Sequence, residues 1–376
     1  MSLTEEERQR YSRHLVLKEI GTQGQERLGR ARVLIVGVGG LGSPAALYLA
    51  AAGVGTLGVL DCDQVELSNL QRQVLFDSAS VGTHKAVAAR DRLLALNPSI
   101  RVIAHDEELN AVNARKLLGD YEVIVDGSDR LATRYLVNDT CVLLGKSLVS
   151  AAIYRFEGQA LTYVPGRGPC YRCAFPQPAA DAAPSCAEAG VLGVLPGVLG
   201  AIQATEVLKL ITGIGEPLIG RLLTYDALEM RFRDLKVSAR RDCPVCGTDP
   251  SITELTSAAA AKSVDAASIK RLAPGELRAL LGHRTGAAMP SLVDVREPAE
   301  FAAGHLQGAM NIPLNTLPAR LPEFLGADTV VFVCRSGIRS ARAAELAIRA
   351  GVPGVAHLEG GLLAWAARCD PKLEVA

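Results

Sequence analysis

Six of the nine cysteines stand where a thiolate could do chemistry. Cys170 and Cys173 form one C-x-x-C knuckle, and Cys243 and Cys246 form a second. Each knuckle can offer two thiolates to one tetrahedral ion, so together they predict a closed four-cysteine zinc site. A closed site keeps no open coordination position, and its expected role is structural. A redox C-x-x-C pair is the rival chemistry, but two such units in one domain favour zinc. Cys334 opens the run CRSGIRS, which follows the apolar stretch Val330–Val333 and precedes a helical segment. A short loop there can aim backbone N–H groups and a helix N-terminus at an anionic sulfur. Arg335 and Arg339 are expected to add positive potential. That is a recipe for a low-pKa thiolate and a stabilised persulfide. Phosphate-binding C-x5-R loops use the same cradle, but Cys334 and Arg339 are spaced C-x4-R, one residue short. Cys186 stands alone in a Pro/Gly/Ala-rich stretch suited to a mobile loop. A small buried residue is the bland alternative for it.

A second chemistry centres on glycines and charge. Gly37, Gly39 and Gly42 fall in G-x-G-x-x-G spacing, with Gly40 inside the loop. Glycines let the backbone turn tightly and approach phosphates, whose charge is met by N–H groups at the next helix N-terminus. Asp61 ends the following apolar stretch, where an acid can bind ribose hydroxyls. These features predict a nucleotide but do not separate NAD from ATP. The flanking residues do. Asp63, Asn69, Arg72, Lys85 and Asp129 follow in order. Hydride transfer needs little positive charge, whereas adenylyl transfer must neutralise a departing pyrophosphate. Arg72 and Lys85 supply cations, and Asp129 supplies a hard oxygen ligand for Mg2+.

The elements that must position these groups read as α/β. Residues 5–28 form a helical entry segment. Residues 32–37, 57–60 and 123–125 read as strands, and residues 43–52 and Lys85–Leu96 as helices, in βαβ order. Residues 251–268 are rich in Ser, Thr and Ala and read as a linker. A second α/β domain follows, with strands at residues 292–295 and Val330–Val333 and a helix over 340–350. The expected division is 1–250, a 251–271 linker, and 272–376.

Composition narrows the function classes. Lys+Arg and Asp+Glu are 40 each, and aromatics are 4%. This argues against a general nucleic-acid binder. Residues 1–10 are polar, without the apolar stretch of a signal peptide. The most apolar run, 191–202, is too short to span a membrane and reads as a buried segment. A cytoplasmic protein with no membrane partner is expected.

The set GxGGLG, DxDxVxxSNLxRQ, VGxxK and a later Ser-Asp resembles the ThiF-type, E1-like activating enzymes, and residues 11–14 (YSRH) resemble their N-terminal segment. The resemblance covers about residues 5–248. It implies a Rossmann-like adenylation domain in which Gly40 and Asp61 contact the nucleoside. Asn69, Arg72 and Lys85 would contact phosphates, and Asp129 would hold Mg2+. Arg13 would reach the partner's ATP site in a homodimer. Asp129-Arg130 departs from the family's frequent Asp-Asn. Cys186 resembles the crossover-loop cysteine that attacks an acyl adenylate or links to the sulfur donor. Residues 272–370, with LVDVREP (292–298), Glu300, His305, Glu359-Gly-Gly361 and Trp365, resemble a rhodanese domain. By that likeness Cys334 carries the persulfide, while Asp294, Arg296 and His305 are structural. The whole resembles adenylyltransferase–sulfurtransferases of molybdopterin or tRNA-thiolation pathways. The implied partners are a ubiquitin-like carrier ending in Gly-Gly and a donor such as a cysteine desulfurase or thiosulfate. An NAD-dependent oxidoreductase, a ubiquitin-type activator stopping at a thioester, and a non-enzymatic scaffold are the alternatives.

Overall fold

The structure is a computed structural model that describes residues 3–176, 190–255, 269–282, 290–314 and 316–375. The chain divides into two compact units, residues 1–260 and 261–376. The expected linker falls largely on residues 256–268, outside the described residues.

The first unit is built on one sheet. Its strands are β1 (Arg32–Val36), β2 (Thr56–Leu60), β3 (Arg101–His105), β4 (Val123–Asp126), β5 (Ser147–Tyr154), β6 (Glu157–Tyr163), β7 (Arg221–Asp226) and β8 (Arg231–Lys236). They lie in the order β3-β2-β1-β4-β5-β6-β7-β8. From β3 to β5 every pairing is parallel. From β5 to β8 every pairing is antiparallel. Strands β1 and β4 are buried on both faces, which is why their sequences are unbroken apolar runs. The order reverses at β1, between β2 and β4. Ligands of such sheets bind in that crevice, beyond the carboxyl ends of the strands.

The helix after β1 is Gly42–Ala51, and it packs beside the long helix Leu195–Thr212. Gly200 permits the close crossing, because a Cβ there would meet the Leu41 carbonyl at 2.5 Å. The expected buried segment at 191–202 is only partly buried. Val194 is 65% exposed and Leu192 41%, because the long helix begins at Leu195 and the residues before it form a surface turn. The entry segment is also not one helix. It breaks into Glu5–Arg10, Ser12–Val16 and Gly21–Arg30, the last starting at Gly21 with φ +52°.

The second unit holds a fully parallel sheet of β9 (Lys270–Leu272), β10 (Ser291–Asp294), β11 (Met310–Asn311), β12 (Val330–Val333) and β13 (Val355–Leu358). The order is β11-β10-β12-β13-β9. Two apolar clusters cover it: Phe332 and Ala343 belong to one, and Val331, Leu362 and Trp365 to the other. Alternation along β12 sends Val331 and Phe332 into different clusters, as a strand buried on both faces requires. Cys334 follows the last residue of this central strand. No helix among the described residues is long and apolar enough to cross a membrane.

Candidate active sites and metal centre

A cleft opens at the carboxyl ends of β1, β2 and β4, with a volume of about 1050 Å³ counting its open mouth. It gathers Gly37, Gly39, Gly40, Asp61, Asp63, Arg72, Lys85 and Asp129. The loop after β1 needs its glycines. Gly37 has φ +81°, and a Cβ on Gly42 would fall on the Gly37 carbonyl oxygen. Gly42 therefore sits behind the cleft and closes the turn. Asp61 accepts the Val38 N–H through Oδ2 at 3.0 Å and the Asp63 N–H through Oδ1 at 3.0 Å. Burial pushes its carboxyl up, against the pull of Lys85. The carboxylate braces the glycine loop and keeps lone pairs for a hydroxyl.

Lys85 is buried, and its Nζ lies 3.0 Å from Asp63 Oδ2. Among the described residues Arg72 is tethered by one side-chain bond, Nη1 to Ser68 O at 3.2 Å, which leaves the rest of its guanidinium for a ligand. Asn69 is buried and does not line the cleft. It caps the turn Leu67–Asn69, with Oδ1 accepting the Glu66 N–H at 3.3 Å. Asp129 is exposed at the cleft and has no hydrogen bond or ion pair among the described residues. A free carboxylate beside two cations and a glycine loop suits a hard divalent ion on a polyphosphate. Its neighbour Arg130 pairs with Glu108 at 2.8 Å. Arg13 is exposed on its own helix and is not part of this chain's cleft.

Sequence reasoning missed the network that holds Asp129. Asp126 is buried and accepts from Ser128 N–H (3.1 Å), Ser128 Oγ (2.6 Å) and Ser150 Oγ (2.8 Å). Arg134 is also buried, donates to Ala151 O at 2.5 Å and to Ser128 O, and lies 3.9 Å from Asp126. The available signal was an acid ending a fully apolar strand, with an arginine one turn into the next helix.

The four knuckle cysteines converge. Their sulfurs all lie within 4.8 Å of one another, with Cys170 to Cys243 at 3.6 Å and Cys173 to Cys246 at 3.4 Å. Sulfurs on one tetrahedral zinc stand about 3.8 Å apart, from a Zn–S distance of about 2.3 Å. Burial, and then repulsion from the other sulfurs, pushes the Cys170 thiol up. A divalent cation reverses that penalty, so the donor set fits zinc. The site ties the segment after β8 to the helix Tyr171–Ala174. We expect about one zinc per chain by metal analysis. Cys173→Ser should lower the melting temperature of this unit by about 5–10 °C, since structural zinc contributes folding free energy.

In the second unit, Cys334 is fully buried at the floor of its loop. Its Sγ accepts N–H groups from Gly337 and Ser340, both at 3.2 Å, and lies 3.4 Å from Ser340 Oγ. Gly337 has φ +95° and leads into the helix Ile338–Arg349. The Glu359-Gly-Gly361 motif is what shapes this loop. A Cβ on Gly361 would meet the Cys334 and Arg335 carbonyls at 2.5 Å, while the Leu362 N–H donates to Cys334 O at 2.8 Å.

The expectation that Arg339 adds net positive potential needs correction. Both its Nη atoms pair with Glu300 at 2.7 Å, so its charge is locally neutralised. The cradle's donors are backbone N–H groups. Arg296 and Asp294 form a fully buried ion pair at 2.8 Å, and Arg296 also donates to Gly304 O. His305 bonds through Nδ1 to the Phe301 carbonyl (2.9 Å) and stacks on the Phe301 ring. Hydrogen bonds from Arg339 hold the Glu300 carboxyl down to about 2, from 4.5. A depressed carboxyl stabilises the fold above its unfolded pKa and loses that contribution as pH falls through the folded value. Native protein should therefore lose stability relative to Glu300→Gln between about pH 4.5 and 2, by less than about 1 kcal/mol for this solvent-screened pair. Paired acid-unfolding curves check this.

Cys186 lies outside the described residues.

A doubly wound nucleotide cleft and a thiolate loop on a separate parallel sheet thus occur in one chain, which makes it a nucleotide-using enzyme with an attached sulfur-handling domain. The chain belongs to the ThiF family, which it matches over residues 11–245, and residues 273–368 match the rhodanese-like domain. Among its relatives is the probable adenylyltransferase/sulfurtransferase MoeZ of Mycobacterium tuberculosis, 45% identical over 99% of this chain and 96% of its own length. The sulfur carrier protein adenylyltransferase of Thermus thermophilus is 54% identical over 68% of this chain and 96% of its own. Adenylyltransferase and sulfurtransferase MOCS3 of Sus scrofa is 42% identical over 98% and 88%. The crystal structure of Escherichia coli MccB with ATP superposes with a TM-score of 0.57 at 26% identity, over 63% of this chain and 73% of that one.

Proposed function

We propose that this chain adenylates the C-terminal glycine of a small ubiquitin-like sulfur carrier and delivers to it sulfur carried on Cys334. The observation that carries the reading is the cleft itself. Arg72, Lys85 and an Asp129 without a partner among the described residues line it together with a glycine loop, in a chain whose relatives are named adenylyltransferases and sulfurtransferases.

In this reading, N–H groups of the glycine loop and of the helix Gly42–Ala51 meet the phosphates of ATP, and Asp61 takes the ribose. Arg72 and Lys85 serve the phosphates, and Asn69 holds the turn that presents Arg72. Asp129 would hold Mg2+, which supplies charge neutralisation for pyrophosphate. The carrier's carboxylate oxygen attacks the α-phosphorus, the bond to the bridging oxygen breaks, and pyrophosphate leaves. Catalysis here is positioning and electrostatics. Arg13, outside its own cleft, supports a homodimer in which it serves the partner's site.

A donor such as a cysteine desulfurase or thiosulfate passes a sulfane sulfur to the Cys334 thiolate. The outer sulfur of that persulfide attacks the acyl carbon, and AMP leaves, giving an acyl disulfide. A thiol must then take the inner sulfur to release the carrier thiocarboxylate. Cys186 is the candidate, and the resulting Cys186–Cys334 disulfide is reduced by an external thiol. A cytoplasmic setting, where thiols stay reduced, suits such a cycle. Molybdopterin synthesis and tRNA thiolation are the pathway classes. Zinc stays structural throughout.

The test is incubation with MgATP, thiosulfate and purified candidate carriers. The expected result is carrier-dependent ATP–pyrophosphate exchange, together with a carrier mass gain of one oxygen-to-sulfur replacement. Tight NAD binding without exchange would overturn the reading.

A further inference from the structure

One buried polar group in the cleft is unused by the reaction as written. Gln73 lines the cleft next to Arg72 and is only 5% exposed. Its backbone is fixed, its N–H donating to Asn69 O at 2.9 Å and its carbonyl accepting from Phe76 N–H at 3.1 Å. The side chain makes no hydrogen bond among the described residues, and Oε1 is buried without a partner. A Cβ on Gly39 would stand 3.6 Å from Nε2. The Nε2 end of the carboxamide therefore faces the glycine loop where that loop has no side chain to cover it. Burying a carboxamide oxygen without a partner is unfavourable, and an apolar side chain of the same volume would avoid the cost. A group held this way is prepared for a ligand.

We propose that Gln73 is a positioning residue that holds the last peptide group of the carrier's tail; this rests on the adenylation reading above. The chemistry selects the ligand. Phosphate and carboxylate oxygens only accept hydrogen bonds, and Arg72 and Lys85 already serve them. An unpaired Oε1 needs a donor. A carboxamide also presents a donor beside that acceptor, which matches the N–H and C=O of a peptide group. Among the substrates, only the nucleoside and the tail carry hydrogens to give. The ribose is assigned to Asp61, whereas Gln73 adjoins Arg72 at the phosphates. The donor that must arrive there is the peptide N–H next to the reacting carboxylate. A terminal glycine leaves that peptide free of side-chain cover, so the amide can reach it. Held at this point, the carboxylate has less freedom to lose on approaching the α-phosphorus.

The test uses the full chain, MgATP and a purified ubiquitin-like carrier ending in Gly-Gly. Gln73→Met keeps the volume and removes both polar atoms. We expect kcat/KM for the carrier in pyrophosphate exchange to fall about 10- to 30-fold, the effect of one hydrogen bond lost in a closed site. The Kd for ATP measured without carrier should stay within about twofold. The melting temperature without substrates should hold or rise. A carrier whose last peptide nitrogen is methylated should be a poorer substrate for the native chain and no worse than the unmodified carrier for the variant. Should Gln73→Met fail to fold, Gln73→Ala carries the same expectations. An equal loss of ATP affinity would reassign Gln73 to the nucleotide and overturn the proposal. Unchanged kcat/KM for the carrier, or a lowered melting temperature that accounts for the loss, would do the same. If the native chain shows no exchange with any carrier, the adenylation reading itself fails, and that outcome is visible before any variant is made.

Discussion

Cys334→Ala should abolish thiosulfate sulfurtransfer, a loss of at least about 1000-fold for a removed nucleophile, while ATP–pyrophosphate exchange stays within about twofold. The two activities draw on separate units, one ending and the other beginning at residues 260 and 261. The sulfur loop shares no residue with the nucleotide cleft. Donor-dependent thiocarboxylate formation should disappear with the sulfurtransfer. Cys186→Ala should behave differently, leaving both partial activities in place and slowing the coupling between them. The donor must be thiosulfate or a protein persulfide, because free sulfide can attack the adenylate directly and bypass both cysteines. Full thiocarboxylation by the Cys334→Ala protein would make the second unit a passive appendage.

Asp129→Ala should lower ATP–pyrophosphate exchange by about 100- to 1000-fold, the usual scale for one charge-stabilising group in a phosphoryl-transfer site. Its melting temperature should be unchanged. The reason is geometric: the carboxylate is exposed and bonded to nothing among the described residues, so the fold loses no interaction with it. Arg72→Ala should give a similar kinetic loss, since among the described residues its side chain surrenders only the hydrogen bond to Ser68 O. By contrast, Asp126→Ala, at the carboxyl end of β4, removes the acceptor for Ser128 and Ser150. That change should reduce both stability and activity, and so tells little about chemistry. Near-native exchange by Asp129→Ala would remove this residue from the site.

In the parallel half of the first sheet β1, β2 and β4 were legible because strands buried on both faces leave apolar runs, whereas β3, mostly unburied at the sheet edge, and β5, interrupted by Ser150, were not. The glycine loop was legible because its turn admits no side chain at Gly42. The antiparallel half was not. Strand β8, RFRDLK, lies exposed along its whole length at a sheet edge, and its two apolar residues, Phe232 and Leu235, stand three apart, so no period-2 pattern marks it as a strand. Residue types could also not reveal pairing. Arg339 reads as free positive charge beside Cys334, and only the fold brings Glu300, far earlier in sequence, against its guanidinium. Asn69 reads as a phosphate ligand within its motif, yet its side chain is spent capping the turn that presents Arg72. The zinc knuckles were readable because ligand spacing is local, whereas the meeting of the two knuckles depends on the whole sheet between them.

The burial of Cys334 has a consequence for selectivity towards reagents. An empty Cys334, buried at the loop floor beneath two N–H groups, is a poorer target for bulky alkylating agents than for a donor as small as thiosulfate. Loading extends the reactive atom by one S–S bond, about 2 Å. Labelling with a large electrophile should therefore be faster after exposure to thiosulfate than before.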